Sequence, residues 1–400
     1  MILKEIDRLA AEIETQVIKW RRAIHQNPEL ANREFQTSKL VSEHLKSLGI
    51  KVSTGIAKTG VVGILEGGKP GPVVALRADM DALPVEEQTG LPFSSRVKGV
   101  MHACGHDCHT AILMGTATVL SKMSDKIPGT VKFIFQPAEE GAPEGEEGGA
   151  PLMIKEGVLE NPKPEAIFGL HMASIPLGLI GYRPGAMMAS GDELNIVVKG
   201  TQTHGATPWS GVDSIVIASQ IVIGLQTIVS RQTDLTATPA IISIGMISGG
   251  QKFNIIPSTV EMFGTIRVFD QKTRKSIHEK VKNTAEMIAK SAGGTAEAKI
   301  REVYGITCND PSLTKLMAPT FQRFVGEKAI VPFPQLTGSE DFSFYQEKIP
   351  GLYFFLGAIT PGEEKFPAHS PFFSPDEKVL LLGVRAMSYV AMDYITLKKE

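Results

Sequence analysis

Apolar residues recur at every third or fourth position over residues 6–24. This periodicity predicts an amphipathic helix with one buried face. The helix should end before Pro28, because proline disfavours a helical conformation in the residue that precedes it. A similar pattern over residues 37–48 predicts a second helix, which Gly49 terminates. His25 lies near the end of the first helix, and we expect it to be a surface or cap residue.

Short apolar runs and helical patterns then alternate along the chain, separated by turns rich in glycine and proline. Strands that alternate with helices predict an α/β fold, with a mainly parallel sheet and helices on both of its faces. The predicted strands are 61–65, 73–77, 131–135 and 166–170, and the predicted helices between them are 110–122 and 151–156.

The pattern changes between residues 190 and 301. Its order of strand, helix, strand, strand, helix and strand suggests a ferredoxin-like α+β unit that is inserted into the first domain. A helix, a strand and a closing helix then return to the first pattern, over 311–324, 352–356 and 376–396. We therefore predict that the first domain occupies 1–187 and 304–400, with the inserted domain at 188–303.

Length and composition agree with two globular domains. Four hundred residues exceed what one hydrophobic core usually serves, and 42% hydrophobic with 21% charged residues is ordinary for globular proteins. The formal net charge of -2 gives no electrostatic reason to expect nucleic acid or an anionic membrane as a partner. We find no apolar run of about 18 residues and no signal-peptide pattern. Three cysteines do not suggest a disulfide framework, so we expect a cytoplasmic protein with no membrane partner.

The densest group of chemically active side chains lies in residues 101–110. Three histidines, two cysteines and an aspartate fall within 102–109, and such side chains bind zinc, manganese, cobalt or nickel. Gly105 lets the chain turn between Cys104 and His106, so both can converge on one ion. An apolar helical pattern follows, and a helix N-terminus favours a cysteine as thiolate.

Acidic and histidine side chains follow the carboxyl ends of the predicted strands. Asp79 comes after the second strand, and Glu139 and Glu140 come after the third. His171 comes directly after the fourth strand, and His369, in a late loop, is the last candidate ligand. Ligands of parallel sheets bind outside the carboxyl ends of the strands. One sheet could therefore bring these side chains together beside the histidine- and cysteine-rich loop.

These residues belong to an ordered set of motifs that runs from about residue 20 to about residue 375. The motifs are LRADMDALP at 76–84, HACGHD at 102–107, QPAEEG at 136–141, GLH at 169–171, GSEDF at 338–342 and HSP at 369–371. With them the chain resembles the M20 metallopeptidase family. Within that family it is similar to the amidohydrolase branch of hippurate hydrolases, auxin-conjugate hydrolases, N-acyl-amino-acid amidohydrolases and some carboxypeptidases.

The resemblance implies a centre of two divalent metal ions, with zinc, manganese, cobalt and nickel as the candidate elements. Many relatives carry a metal-binding histidine at the position of Arg77, and arginine cannot ligate a cation. Asp79 and Asp107 are expected to orient the ligands. The ligands implied by the resemblance are Cys104, His106, Glu140, His171 and His369.

The implied reaction is hydrolysis of the amide bond of N-acyl amino acids or short peptides. A metal-activated water would be the nucleophile, and Glu139 would be the general base. The resemblance suggests that His204, from the same subunit or a partner, stabilises the oxyanion. It also suggests that Asn254 and Arg267 bind the substrate carboxylate. The segment 188–303 would be a lid or dimerisation domain on a catalytic domain, in a homodimer or homotetramer.

Other functions stay open from the residues alone. Cys104 with His106 could form a cysteine-nucleophile amidase, which would remain active in chelator. The same scaffold could also be an inactive peptide- or metal-binding protein, which would bind metal without turnover. Only the resemblance disfavours a metal hydrolase that acts on sugars or nucleotides. His171 could be a core histidine and His204 an ordinary loop residue.

Overall fold

The computed structural model describes residues 2–362, 364 and 366–399. The chain divides into two compact units. The first comprises 1–185, 308–334 and 344–400, and the second comprises 186–307 and 335–343.

The segment 335–343 corrects the predicted domain boundaries, which place it in the catalytic domain. The backbone N–H of Leu336 donates to the carbonyl of Met187 at 2.9 Å, and the N–H of Ala189 donates to the carbonyl of Leu336 at 3.0 Å. These bonds join the segment to the start of the second unit. A pairing between stretches so far apart in the chain leaves no periodic signal in the sequence.

Helices and strands alternate along most of the chain. The helices are α1 (Ile2–Gln26), α2 (Phe35–Ser47), α3 (His106–Ser121), α4 (Gly149–Lys155), α5 (Ser214–Gln232), α6 (Gln271–Ser291), α7 (Pro311–Val325), α8 (Phe342–Gln346) and α9 (Lys378–Lys399). The strands are β1 (Lys51–Ile56), β2 (Gly60–Glu66), β3 (Val73–Asp79), β4 (Thr130–Gln136), β5 (Ala166–Pro176), β6 (Ile180–Tyr182), β7 (Gly185–Met188), β8 (Gly191–Lys199), β9 (Thr203–His204), β10 (Ala240–Gly249), β11 (Ile255–Ile256), β12 (Thr259–Val268), β13 (Thr295–Tyr304), β14 (Thr307–Asn309), β15 (Ile330–Pro332) and β16 (Gly351–Ile359).

A mainly parallel sheet forms the centre of the first unit and confirms the predicted fold class. Its strand order is β1-β2-β4-β3-β5-β16-β6-β15, and the four strands from β4 to β16 in that order are mutually parallel. Asp79 pairs with Gln136, and Arg77 pairs with Gly169. Asp79 is therefore in register with His171, on the side of the sheet to which the carboxyl ends of these parallel strands point. His171 does not follow its strand as predicted, because β5 continues to Pro176.

The core of the first unit lies between this sheet and its helices. Apolar residues of α1, α2, α3 and α9 form one cluster with those of the sheet. Every residue of α3 from His106 to Leu120 is buried. The side chains in the first turn of α3 are therefore packed on all sides, which fixes the position of the candidate ligand His106.

An antiparallel sheet of order β10-β12-β8-β13 forms the second unit, with α5 and α6 packed against it. This is the strand order of a ferredoxin-like fold. By length and composition α5 and α9 could each cross a membrane, but α9 is largely buried within the first unit. On α5, Ile215, Val216 and Ile223 are 44%, 50% and 69% exposed. The second unit thus presents apolar side chains on one helix face.

A buried ion pair joins α1 to α3. The guanidinium of Arg21 donates from Nε to Oδ2 of Asp107 at 2.8 Å, and both side chains are fully buried. His25 is also buried, with Nδ1 2.8 Å from the same oxygen. The expectation that His25 is a surface or cap residue is therefore wrong, because its buried imidazole bonds the carboxylate of Asp107.

Replacing Arg21 with methionine should lower the free energy of unfolding by about 3 to 5 kcal/mol, because Asp107 would lose its buried cation. The adjacent Arg22 is half exposed and pairs with Glu377. Its replacement with methionine should cost less than about 1 kcal/mol. Urea unfolding of both variants measures the two free energies of unfolding. Equal losses in the two variants would contradict a larger contribution from the buried pair.

Candidate metal centre

A left-handed turn at Gly105 positions the first two candidate ligands. Gly105 has φ of 90° and stands at the N-cap of α3. A Cβ at this position would lie 3.1 Å from Cγ of Met172, so both the backbone angle and the close packing require glycine. The turn places Cys104 just before the helix and His106 in its first turn.

The five predicted ligands lie together in the first unit. Sγ of Cys104 is 3.3 Å from Nε2 of His171. Oε1 of Glu140 is 3.0 Å from Nε2 of His369 and 4.0 Å from Nε2 of His106. Cys104, His106 and His171 form one group of donor atoms within 4.8 Å of one another, and Cys104, Glu140 and His369 form another. The two groups share the thiol, so they lie side by side.

Hydrogen bonds at Nδ1 leave Nε2 of two histidines directed into the cluster. Nδ1 of His171 donates to the carbonyl of Met172 at 2.7 Å. Nδ1 of His106 is 3.2 Å from Oδ1 of Asp81. Nε2 of His106 is buried and has no hydrogen-bond partner among the described residues. Because a buried nitrogen without a partner is costly, this lone pair suits a metal ion.

Asp81 supports two of the candidate ligands at once. Its Oδ1 faces His106, and its Oδ2 accepts the backbone N–H of Glu140 at 3.0 Å. Such a supporting role is also expected of Asp107, but its carboxylate bonds Arg21 and His25. Asp81, for which the sequence predicts only a structural role, makes such supporting contacts in the structure.

Asp79 acts on the cluster through His109. Oδ1 of Asp79 accepts from Nδ1 of His109 at 2.6 Å, and Nε2 of His109 accepts the backbone N–H of Met172 at 2.9 Å. With both nitrogens engaged, His109 has no lone pair for a metal. Nη1 of Arg77 bonds the other oxygen of Asp79 at 2.6 Å. Asp79 thus holds the backbone next to His171, as the expected orienting role requires.

Burial and neighbouring charges shape the acid–base behaviour of the cluster. Burial, together with the charge of Glu140, holds the pKa of the Cys104 thiol well above its usual range. Burial alone would lower the pKa of His106, but the carboxylates of Asp79 and Asp81 outweigh it and raise that pKa. Burial lowers the pKa of His171 to about 3. This buried set of imidazole, thiol and carboxylate donors fits divalent transition-metal ions.

Glu139 lies beside the donors and close to Glu140, because the carboxylates of both residues approach Nε2 of His106. Glu139 is 6% exposed, and its Oε2 lies 3.9 Å from that nitrogen. Ala138, the residue before it, has a left-handed φ of 53°. This turn follows the end of β4 and leads into the two residues whose carboxylates lie at the donor cluster.

The remaining predicted site residues lie in the second unit. His204 and Asn254 are adjacent there, because the N–H of Gly205 donates to the carbonyl of Asn254 at 2.8 Å. Nδ1 of the exposed His204 accepts the N–H of Ala206 at 3.0 Å, so Nε2 carries the proton. Arg267 contacts Oγ of Ser339.

Arg267 and Asn254 are not brought together within one chain. Asn254 precedes the start of β12 and Arg267 lies near its end, so about 26 Å of extended strand separates the two regions. The expectation that both residues grip the same carboxylate is therefore not met by a single chain.

Known proteins are similar to this chain over almost its whole length. Residues 75–393 match the family model described as Peptidase family M20/M25/M40. The chain is 43% identical over 399 residues to thermostable carboxypeptidase 2 of Saccharolobus solfataricus, covering 98% of this chain and 99% of that protein. It is 40% identical over 380 residues to the N-acetylcysteine deacetylase of Bacillus subtilis, covering 94% and 96%. The solved structure of the YXEP protein of Bacillus subtilis, described as a dinuclear metal-binding peptidase of the M20 family, matches with a TM-score of 0.84 and 37% identity, covering 96% and 99%.

Proposed function

The chain belongs to the peptidase family M20/M25/M40 and is a metallopeptidase or amidohydrolase of that family, and on this premise we propose that it hydrolyses the amide bond of N-acyl amino acids or short peptides. The observation that carries the proposal is the meeting of five donor side chains beside the carboxylate of Glu139. A metal-activated water and a carboxylate base can together hydrolyse the amide bond of such substrates.

Two divalent ions are supported by the donor set and by the dinuclear metal-binding neighbour. We propose zinc, manganese, cobalt or nickel, because these ions accept mixed nitrogen, sulfur and oxygen ligands. When bound, the ions would lower the pKa of a water and polarise the substrate carbonyl. The residues that would hold them are Cys104, His106, Glu140, His171 and His369.

Glu139 moves the proton in this proposal. Its carboxylate takes a proton from the attacking water, holds it on Oε2 and delivers it to the leaving amine. The short distance to His106 keeps the carboxylate at the donor cluster. Its burial keeps bulk water from competing for that proton. His204 carries its proton on Nε2, and we propose that this N–H donates to the oxyanion.

The substrate carboxylate is proposed to be bound by Arg267 of one chain and by Asn254 of a second copy, which would also supply His204 to the oxyanion. This division follows from the separation of Arg267 and Asn254 along β12. The exposed apolar face of α5, together with Met246 and Ile247 on the edge strand β10, provides surface that a second copy could cover. We therefore propose a homodimer, or a homotetramer built from it. The free cysteines Cys104, Cys108 and Cys308 agree with a cytoplasmic location.

Mixing two inactive variants tests whether His204 acts across subunits. Glu139→Gln and His204→Ala each disable one contribution. If His204 serves the partner's site, a mixed dimer contains one centre with both residues intact, so mixing should restore up to about half of the wild-type activity of that dimer. Mixing followed by assay against each variant alone measures the recovery. Absence of recovery, with mixed dimers verified by mass spectrometry, would place His204 in its own subunit's site.

The substrate class is tested with matched pairs of substrates. Hippurate and N-acetyl amino acids should be hydrolysed faster than the same molecules with an amidated carboxylate. Equal rates would contradict recognition of the carboxylate. Activity that persists after removal of metal would instead favour a cysteine amidase, since Sγ of Cys104 faces an imidazole. Bound metal without turnover of any pair would favour a binding protein.

A further inference from the structure

Glu34 is a buried carboxylate that the proposed mechanism does not use. It stands at the N-cap of α2, yet its side chain makes no capping hydrogen bond to that helix. Glu29 caps the helix instead, accepting the backbone N–H groups of Gln36 and Thr37 at 2.9 Å each. The carboxylate of Glu34 is thus available for partners outside its own helix.

Three turns meet at this carboxylate. Oε1 of Glu34 accepts the backbone N–H of Asn32 at 3.1 Å and of Ala138 at 2.9 Å. Oε2 accepts from the hydroxyl of Thr59 at 2.6 Å. Each turn contains a non-glycine residue with a left-handed backbone: φ is 61° at Asn32, 76° at Lys58 and 53° at Ala138. Such angles are unfavourable for these residues and persist only when surrounding contacts enforce them.

Of the three turns, the turn at Ala138 is the one that affects the metal centre. Ala138 directly precedes Glu139, so its backbone angles decide where the carboxylates of Glu139 and Glu140 point. The same segment also holds the far part of this loop, because Nδ2 of Asn32 donates to the carbonyl of Glu147 at 3.1 Å. The loop that carries the two carboxylates is therefore tied at both ends to residues 32–34.

We propose that Glu34 is a positioning residue, which aims Glu139 at the metal centre by holding the backbone of Ala138 in its left-handed turn. The catalytic part of this inference rests on the proposed function. Glu34 does not touch the substrate or the donor atoms in this account. It acts through one backbone N–H, and misplacement of a catalytic group by about 1 Å can cost about 100-fold in rate.

Three variants separate positioning from simple stability. Glu34→Ala removes the acceptor and should lower kcat about 100-fold at saturating metal, with KM little changed. Glu34→Gln keeps an oxygen for Ala138 and can donate to the hydroxyl of Thr59, so kcat should stay close to wild type. Burial and the charge of Asp81 raise the pKa of Glu34 to about 7, so the neutral glutamine also tests geometry apart from charge. Glu29→Ala is the matched control, because it removes hydrogen bonds from the same segment without contacting Ala138.

Hydrogen exchange of the backbone supplies a readout that does not depend on turnover. Amide exchange in the peptide spanning 136–141 should be faster in Glu34→Ala than in wild type, and unchanged in Glu29→Ala. Should Glu34→Ala fail to fold, Glu34→Asp, whose shorter side chain withdraws from Ala138, should show the same changes. Wild-type kcat and exchange in the variant that folds would overturn the proposal, as would equal losses in Glu29→Ala. If the wild type hydrolyses no substrate, the proposed function fails, and the exchange data still decide the role of Glu34.

Discussion

Replacing Glu139 with glutamine should lower kcat by about a hundredfold to ten-thousandfold, while the metal content stays at the wild-type level. Glutamine has nearly the same shape, but its amide cannot accept the proton of the attacking water. The carboxylate lies beside the donor cluster, 3.9 Å from His106, and our proposal assigns it no metal. The loss should therefore appear in turnover alone.

Elemental analysis and steady-state kinetics of purified Glu139→Gln measure the two quantities together. Glu144→Gln is the matched control, because Glu144 is an exposed carboxylate of the same loop. It should keep both activity and metal. If Glu139→Gln retains its activity, the assignment of the general base is wrong. If it loses metal as well, Glu139 is a ligand rather than a base.

Replacing His106 with glutamine should remove metal and activity together. Nε2 of His106 is buried with no hydrogen-bond partner among the described residues, and an ion is the partner proposed for it. The metals supply several kcal/mol of transition-state stabilisation, so the activity should fall by about a thousandfold or more. His278→Gln is the control, because His278 bonds Asp192 in the second unit and lies outside the donor cluster.

Metal analysis by mass spectrometry after gel filtration checks this prediction. The His106→Gln variant should carry fewer ions per chain than wild type, and excess metal should restore part of its activity. The His278→Gln variant should match wild type in both respects. A fully loaded and active His106→Gln protein would remove this residue from the centre.

The fold was predictable because its strands and helices are strongly periodic. Parallel strands such as β16 are buried throughout and appear in the sequence as continuous apolar runs. β1 was not predicted, because this edge strand is mostly exposed and its residues carry little apolar pattern. The membership of 335–343 in the second unit was also not predictable, since it depends on backbone pairing over a long distance in the chain.

The candidate ligands were predictable where residue type and strand ends coincide. Glu140 and His171 combine both signals, and the register of β3 with β4 and β5 explains why they lie close together. Glu34 lacks such a signal, because its role comes from a backbone N–H group that it accepts. Asp81 follows the end of β3, but its bond to the backbone N–H of Glu140 could be found only from the structure. The separation of Asn254 from Arg267 could likewise be found only from the register of the second sheet.

The most direct test of the metal centre is hydrolysis of hippurate and N-acetyl amino acids, with elemental analysis, before chelation, after chelation and after metal is restored. We expect close to two divalent ions per chain, loss of hydrolysis in step with loss of metal, and recovery when metal is returned. Hydrolysis that continues at the wild-type rate in metal-free protein would contradict this expectation.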